Sequence, residues 1–158
     1  DISKCDLIAY SNGNYYSLGK KIGRFGFSVQ KKKKLKSVLF VSTGSMLSEV
    51  IQASRNLMIE NIEADIYSLR FLNKVDVNHL FEYAKNRDAV IFVEDGICRG
   101  GVSEELEYEL LKRGFNKTAV NALPEKFLSQ GTRGEICEDV KMDPRSLAEC
   151  AYKVVYRK

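Results

Sequence analysis

The chain has 158 residues, 44% of them hydrophobic and 29% charged, a length and mix that build one soluble domain with a real core. Its formal charge is +4, from 25 Lys/Arg against 21 Asp/Glu, with a single histidine. No apolar run nears the roughly 18 residues of a membrane span; the start Asp1-Ile-Ser-Lys4 is too polar for a secretory leader, and its missing initiator methionine points to a processed or excised piece.

The charge is uneven: residues 1–36 hold nine Lys/Arg and two acids, the remainder sixteen and nineteen. The excess lies largely in Lys31–Lys34 and Lys36. It lacks the interleaved aromatics or groove-reading element of a nucleic-acid surface and reads as a solvated turn. Cys5, Cys98, Cys137 and Cys150 are far apart and form no CxxC pair, so they read as reduced thiols of a cytoplasmic protein rather than zinc ligands. A Ser-His-acid triad would rest entirely on His79, which nothing marks as a base.

In chain order, residues 1–17, with Ser11-Asn12-Gly13-Asn14, read as a linker or arm, and residues 18–158 as the domain. Lys20–Val29 alternates weakly and passes through the lysine turn straight into the next strand, as an antiparallel edge strand would. Val38–Val41 is a buried strand feeding Ser42-Thr43-Gly44-Ser45, and Leu47, Val50, Ile51, Leu57 and Met58 then share one helix face. Ala64–Leu69 is the next strand, followed by a helix on Val77, Leu80, Phe81 and Ala84 with Asp76 as N-cap. The third strand, Ala89–Val93, leads to a helix after Gly101, capped by Ser103, with Glu104 and Glu105 where the helix dipole favours acids and Leu106, Leu110 and Leu111 facing inward. Thr118–Leu123 is the fourth strand. The last helix starts at Asp143-Pro144, a cap followed by proline at the first helical position, and buries Leu147, Ala151, Val154 and Val155. Fourfold strand–helix alternation requires parallel pairing, because each helix is a crossover. The expected fold is a three-layer α/β/α sandwich on a mixed five-stranded sheet, four strands parallel and one antiparallel at the edge.

Ligands of open α/β sheets bind beyond the carboxyl ends of the strands, at the topological switch point. The residues at those ends are Gly44 and Ser45, Arg70, Glu94 and Asp95, and Gly100 and Gly101. Gly44 and Ser45 are minor anion-site candidates, having a helix N-terminus and hydroxyls but no P-loop lysine. Glu94 and Asp95 point to opposite faces of an extended strand, so they cannot share one proton as an acid–base pair. One is expected to meet Arg70 or free backbone N–H groups, the other solvent or a partner. Gly100 and Gly101 let a backbone come close to a subunit, a domain or a ligand.

The order Val93-Glu94-Asp95-Gly96, Gly100-Gly101, then Leu123-Pro124-x-x-Phe127-Leu128-x-Gln130-Gly131-Thr132 resembles the C-terminal domain of the transketolase family. Leu18-Gly19-Lys20, Val41-Ser-Thr-Gly44 and Leu69-Arg70-Phe71 extend the resemblance over about residues 18–156. The last stretch is most like that of the 1-deoxy-D-xylulose-5-phosphate synthases. The resemblance implies a parent enzyme that uses thiamine diphosphate and Mg²⁺ to decarboxylate pyruvate and pass two carbons to glyceraldehyde 3-phosphate, for isoprenoid, thiamine and pyridoxal synthesis. It implies that this domain binds no cofactor, packs in a homodimer and supports the pyrimidine-binding and diphosphate-binding domains that precede it. No GDG-then-Asn diphosphate motif and no family catalytic glutamate occur in these residues. Leu72-Asn73-Lys74-Val75 replaces the family's lysine-proline turn, and Ala9 and Asn12 stand where a synthase has two phosphate-holding arginines. Three readings follow: the C-terminal domain of such a synthase, a free-standing C-terminal subunit of a split or diverged transketolase-type enzyme, and an independent small-ligand binder.

Overall fold

In the computed structural model, residues 8–11, 14–17 and 20–24 are described as backbone, and residues 35–157 in full. Four parallel strands form the body of the sheet: β4 (Lys36–Thr43), β5 (Ile62–Leu69), β6 (Ala89–Ile97) and β7 (Thr118–Leu123). They lie in the order β5-β4-β6-β7, so the chain winds first to one side of β4 and then to the other. The reversal puts the switch point between the carboxyl ends of β4 and β6.

The helices α1 (Leu47–Ile59), α2 (Val77–Ala84), α3 (Val102–Lys112) and α5 (Pro144–Val155) are the four that the apolar spacing predicts. Alternation along each strand divides the core. Val38 and Phe40 of β4, with Ile66, Ile91 and Val93, pack under α1 and α5; Leu39 and Val41, with Tyr67, Val90 and Phe92, pack under α2 and α3. β4 and β6 are paired on both edges and covered on both faces, which accounts for their nearly unbroken apolar runs. This is the expected α/β architecture, with a parallel sheet between two helical layers.

Three short strands precede it: β1 (Ile8–Ser11), β2 (Asn14–Ser17) and β3 (Lys20–Arg24). β1 runs antiparallel to β5, with Ala9 opposite Tyr67, and β2 and β3 follow it, so that the sheet has seven strands among the described residues where five were expected. Residues 1–17, expected as a linker or arm, thus include two strands. The expected edge strand Lys20–Val29 is described only over Lys20–Arg24, where it pairs with β2. Cys5, Asn12 and Lys31–Lys34 lie outside the described residues.

The helix caps follow the sequence in two cases and depart from it in a third. The Asp76 carboxylate accepts the N–H groups of Asn78 and His79, and that of Asp143 accepts those of Arg145 and Ser146, with Pro144 at the first helical position. Ser103 does not cap α3; Gly101 is the N-cap, and the Ser103 hydroxyl is buried without a hydrogen-bond partner among the described residues. Met58 and Leu111, expected on inward faces, are 49% and 45% exposed. In each case the preceding residue, Leu57 or Leu110, takes the inward position of that turn, and the next side chain lies about 100° round the helix, towards solvent.

A further helix, α4 (Arg133–Asp139), lies in the loop expected between β7 and α5. Its start is a capping box: Thr132 Oγ1 accepts the Glu135 N–H, and the Glu135 carboxylate accepts the Thr132 N–H at 2.8 Å. The Thr-x-x-Glu spacing is its sequence signal.

Phe40 is fully buried in the layer under α1 and α5. Phe40→Ala is expected to cost about 3–5 kcal/mol, read in urea unfolding as a lower midpoint with an unchanged slope.

Candidate functional site

The residues expected at the strand ends come together at the switch point, where the carboxyl ends of β4 and β6 hold one another. Extended backbone sends Glu94 towards α3 and Asp95 towards the β4–α1 turn. Pairing with β7 is interrupted between Val93 and Ile97, which frees this stretch from the ladder.

Asp95 fills the anion niche that Gly44 and Ser45 were read to form. Its Oδ2 accepts the Ser45 hydroxyl at 2.5 Å and its Oδ1 the Thr43 hydroxyl at 3.0 Å. The Thr43 oxygen in turn accepts the Asp95 N–H at 3.3 Å. Hydrogen bonding from Ser45, with smaller help from Thr43 and the Arg133 charge, holds the Asp95 carboxyl below its ordinary range. Gly44, at φ 24°, lets the chain turn sharply into this position.

Arg133, which the sequence reading missed, covers the same turn from α4. Its Nη2 donates to the Ser45 carbonyl at 3.0 Å, its Nη1 donates to the Ser45 hydroxyl at 3.2 Å, and the guanidinium pairs with Glu49 of α1 at 3.3 Å. Burial raises the Glu49 pKa, but the Ser48 hydroxyl and Arg133 outweigh it and leave the group lowered. Arg133 is half exposed, so the pair adds little stability by itself and acts chiefly by position.

Glu94 is the buried partner of this arrangement, 7% exposed. Its Oε2 accepts the Ser103 N–H at 2.9 Å, so a carboxylate from the sheet caps α3 in place of the Ser103 side chain. Of the two partners expected for this acid, it takes backbone N–H rather than Arg70. The glycines make the room. A Cβ on Gly101 would lie 2.7 Å from the Ile97 carbonyl oxygen and 2.8 Å from Glu94 Oε2, and one on Gly96 would lie 2.9 Å from Glu94 Oε1. Gly100, at φ 73°, supplies a left-handed turn, and its N–H donates to Glu104 at 2.7 Å.

Arg70 is exposed and lines a cleft of about 490 Å³ beside the switch point, with Thr43, Gly44, Ser68, Leu72 and Asp95. The nearby Cys98 thiol is pushed up by burial and by the carboxylates of Glu104, Glu107, Glu94 and Glu125, which keeps it protonated and a poor nucleophile. His79 bonds through Nδ1 to the buried Tyr67 hydroxyl at 2.7 Å, away from this cluster. The arrangement holds two helix starts in place, and the carboxyl that accepts the Ser45 hydroxyl, with its pKa lowered, is a weak base.

Around these acids, the carboxyl edge carries exposed apolar side chains. Phe71 and Leu72 follow β5 at 38% and 49% exposure, Ile97 ends β6 at 53%, and Phe127 beyond β7 is fully exposed.

Residues 28–147 match the family model described as the transketolase C-terminal domain. Among curated relatives, the chain is 30% identical over 149 residues to the 1-deoxy-D-xylulose-5-phosphate synthase of Arthrobacter sp., an alignment covering 89% of this chain and 22% of the relative. It is 28% identical to that of Clavibacter sepedonicus (90% and 22%) and 35% identical over 101 residues to that of Treponema pallidum (63% and 16%). The chain therefore spans about a fifth of the length of the curated relatives it matches. A solved structure described as a split gene transketolase, inactive beta4 tetramer, superposes with a TM-score of 0.70 at 22% identity, over 78% of this chain and 40% of that one.

Two outcomes are expected from the geometry. Gly101→Ala should destabilise well beyond Gly100→Ala, whose cost is the left-handed strain alone, about 1–2 kcal/mol; chemical unfolding of the two variants ranks them. The second concerns acid. Because the folded Asp95 pKa lies below its unfolded value, its contribution is present above roughly pH 4 and is lost as pH falls through the folded value. Asp95→Asn should therefore lower stability at neutral pH and converge with the wild type in acid, as thermal melts from pH 7 to pH 2 would show.

Proposed function

The chain belongs to the transketolase C-terminal domain family, and from that premise we propose that it is the C-terminal structural and dimer-interface domain of a thiamine-diphosphate-dependent 1-deoxy-D-xylulose-5-phosphate synthase, inactive by itself. The whole enzyme, a cytoplasmic homodimer, would join pyruvate and glyceraldehyde 3-phosphate to 1-deoxy-D-xylulose 5-phosphate with release of CO₂. Its thiamine diphosphate and Mg²⁺ would sit in the preceding pyrimidine-binding and diphosphate-binding domains, with residues 18–158 and the strands β1 and β2 forming this domain. The observation that carries the reading is coverage: 90% of the chain aligns with 22% of a synthase.

The chemistry of the switch point supports a structural role. A diphosphate brought to Ser45 would meet the Asp95 carboxylate already bound there and Arg133 across the entrance. Among the described residues, no cluster of three His, Cys, Asp or Glu side chains is arranged to hold a metal ion. These residues do not fit the cofactor. Arg70, Glu94, Asp95, Gly100 and Gly101 instead shape the edge that faces the rest of the enzyme: the acids and glycines as its frame, Arg70 on its surface. The apolar side chains there are what a docked neighbour would cover, since lone domains rarely expose a large continuous apolar patch. No helix among the described residues is long and apolar enough to cross a membrane.

The likeness in fold to a split gene transketolase favours a second reading, a free-standing C-terminal subunit of a split or diverged enzyme that docks on a separate catalytic partner. Ala9 and Asn12, in the positions of two phosphate-holding arginines, fit a diverged parent with another acceptor.

An antibody raised against this chain separates the two on a denaturing blot of source-cell extract. A band several times larger than 17.9 kDa is expected; a band near 17.9 kDa would select the split subunit. In calorimetry, the isolated chain with Mg²⁺ is expected to give no heat on titration with thiamine diphosphate, and micromolar binding would overturn the non-catalytic role. In the assembled enzyme, Phe127→Ser should weaken association while leaving the melting temperature of the isolated chain within about 2 °C, as for an ordinary surface substitution.

A further inference from the structure

The cleft at the ends of β4 and β5, beside the filled anion niche, keeps polar groups that the fold itself does not use. Ser68 lines it and is more than nine-tenths buried, yet its hydroxyl makes no hydrogen bond among the described residues. In register with it on β4, Ser42 is fully buried, and its hydroxyl also lacks a partner among them. Both side chains leave the sheet on the α1 side, as Phe40 and Ile66 do two residues earlier. Buried hydroxyls left without partners cost a fold stability, so their placement at the mouth of a cleft points to a ligand.

The charges at this cleft have opposite signs and do not pair with each other. Arg70 is exposed and makes no ion pair or hydrogen bond among the described residues. Asp95 lines the same cleft, and its lowered pKa keeps it ionised. The Ser45 and Thr43 hydroxyls each take one of its oxygens and leave a further lone pair on both. Arg133 also acts on this carboxylate but is itself paired with Glu49. Leu47 of α1 and Leu72 after β5 add apolar wall, and the volume of about 490 Å³ is that of a small-molecule site.

This lining selects its ligand by charge. A simple anion would be set against Asp95, and a simple cation against Arg70. A zwitterion answers both, since a carboxylate suits the forked guanidinium and an ammonium suits the carboxylate. The Ser68 hydroxyl is a further donor for the ligand carboxylate, and an aliphatic side chain suits the two leucines.

We propose that this cleft binds a small aliphatic α-amino acid, its carboxylate on Arg70 and Ser68 and its ammonium on Asp95. The site goes beyond the structural role proposed above and does not depend on it.

Titration of the 158-residue chain, labelled with ¹⁵N, with L-leucine tests it by nuclear magnetic resonance. Saturable shifts are expected at the amides of Gly44, Ser68 and Arg70. The same side chain without the ammonium, 4-methylpentanoate, and without the carboxylate, 3-methylbutylamine, should each bind at least about tenfold more weakly. Arg70→Gln should weaken leucine binding about tenfold or more, and Ser68→Ala about threefold or more. Both variants should keep the wild-type spectrum away from the cleft, because neither side chain bonds to the rest of the described fold. The proposal is overturned if leucine up to its solubility limit moves no resonance at the cleft, if either analogue binds as well, or if Arg70→Gln leaves the affinity unchanged. Either result leaves the synthase-domain reading standing, since the blot alone decides that.

Discussion

Two carboxylates in succession at the end of β6 set the layout of the carboxyl edge. Neighbouring side chains on extended backbone leave the sheet on opposite faces. Glu94 goes to the start of α3, where an exposed backbone N–H and the helix dipole receive it, and Asp95 goes to the hydroxyls that open the turn into α1. One strand end thereby fixes the first turns of helices in both outer layers. Moving the pair by a single residue would exchange the two faces and deprive both helices of their carboxylate. The glycines depend on the same constraint, because Gly96 and Gly101 leave the volume that the Glu94 carboxylate occupies.

This geometry bears directly on what the crevice can bind. Switch points of open α/β sheets are common ligand sites because strand ends diverge there and helix N-termini face inward. In this chain the divergence is closed from within: Asp95 takes the hydroxyl donors, and Arg133 bridges the Ser45 carbonyl and Glu49 from above. An incoming anion would have to displace a carboxylate whose protonation is already disfavoured. The strand ends serve the fold first, and the surface they carry faces outward.

Away from the core, the larger exposed apolar side chains are concentrated on particular faces. Phe71, Leu72, Ile97 and Phe127 crown the carboxyl edge, while Ile59, Tyr152 and Tyr156 lie along the α1–α5 layer. The first group surrounds the hydrogen bonds that Glu94 and Asp95 make to the starts of two helices. The second group lies beside a groove between α1 and α5 whose lining also carries Glu60, Arg145 and Glu149.

The body of the fold was legible in the residues, because burial on both faces and amphipathic spacing leave a local record. Val38–Val41, Ala64–Leu69, Ala89–Val93 and Thr118–Leu123 all lie within observed strands, and Asp76 and Asp143-Pro144 cap the helices they precede. The Thr132-x-x-Glu135 box was equally local, yet it had no apolar run behind it to mark a helix. The strand-end acids and glycines were visible as a group, though their partners were not. Glu94 reaches an N–H nine positions away, Asp95 a hydroxyl 50 positions away and Arg133 a carbonyl 88 positions away. The sequence by itself determined the four parallel strands, the four helices that cover them and the family, but not β1, β2 or α4. Only the tertiary structure decided that the crevice is filled by the chain's own carboxylate, because long-range pairing depends on how strands are ordered in the sheet, and spacing along the chain does not encode that order.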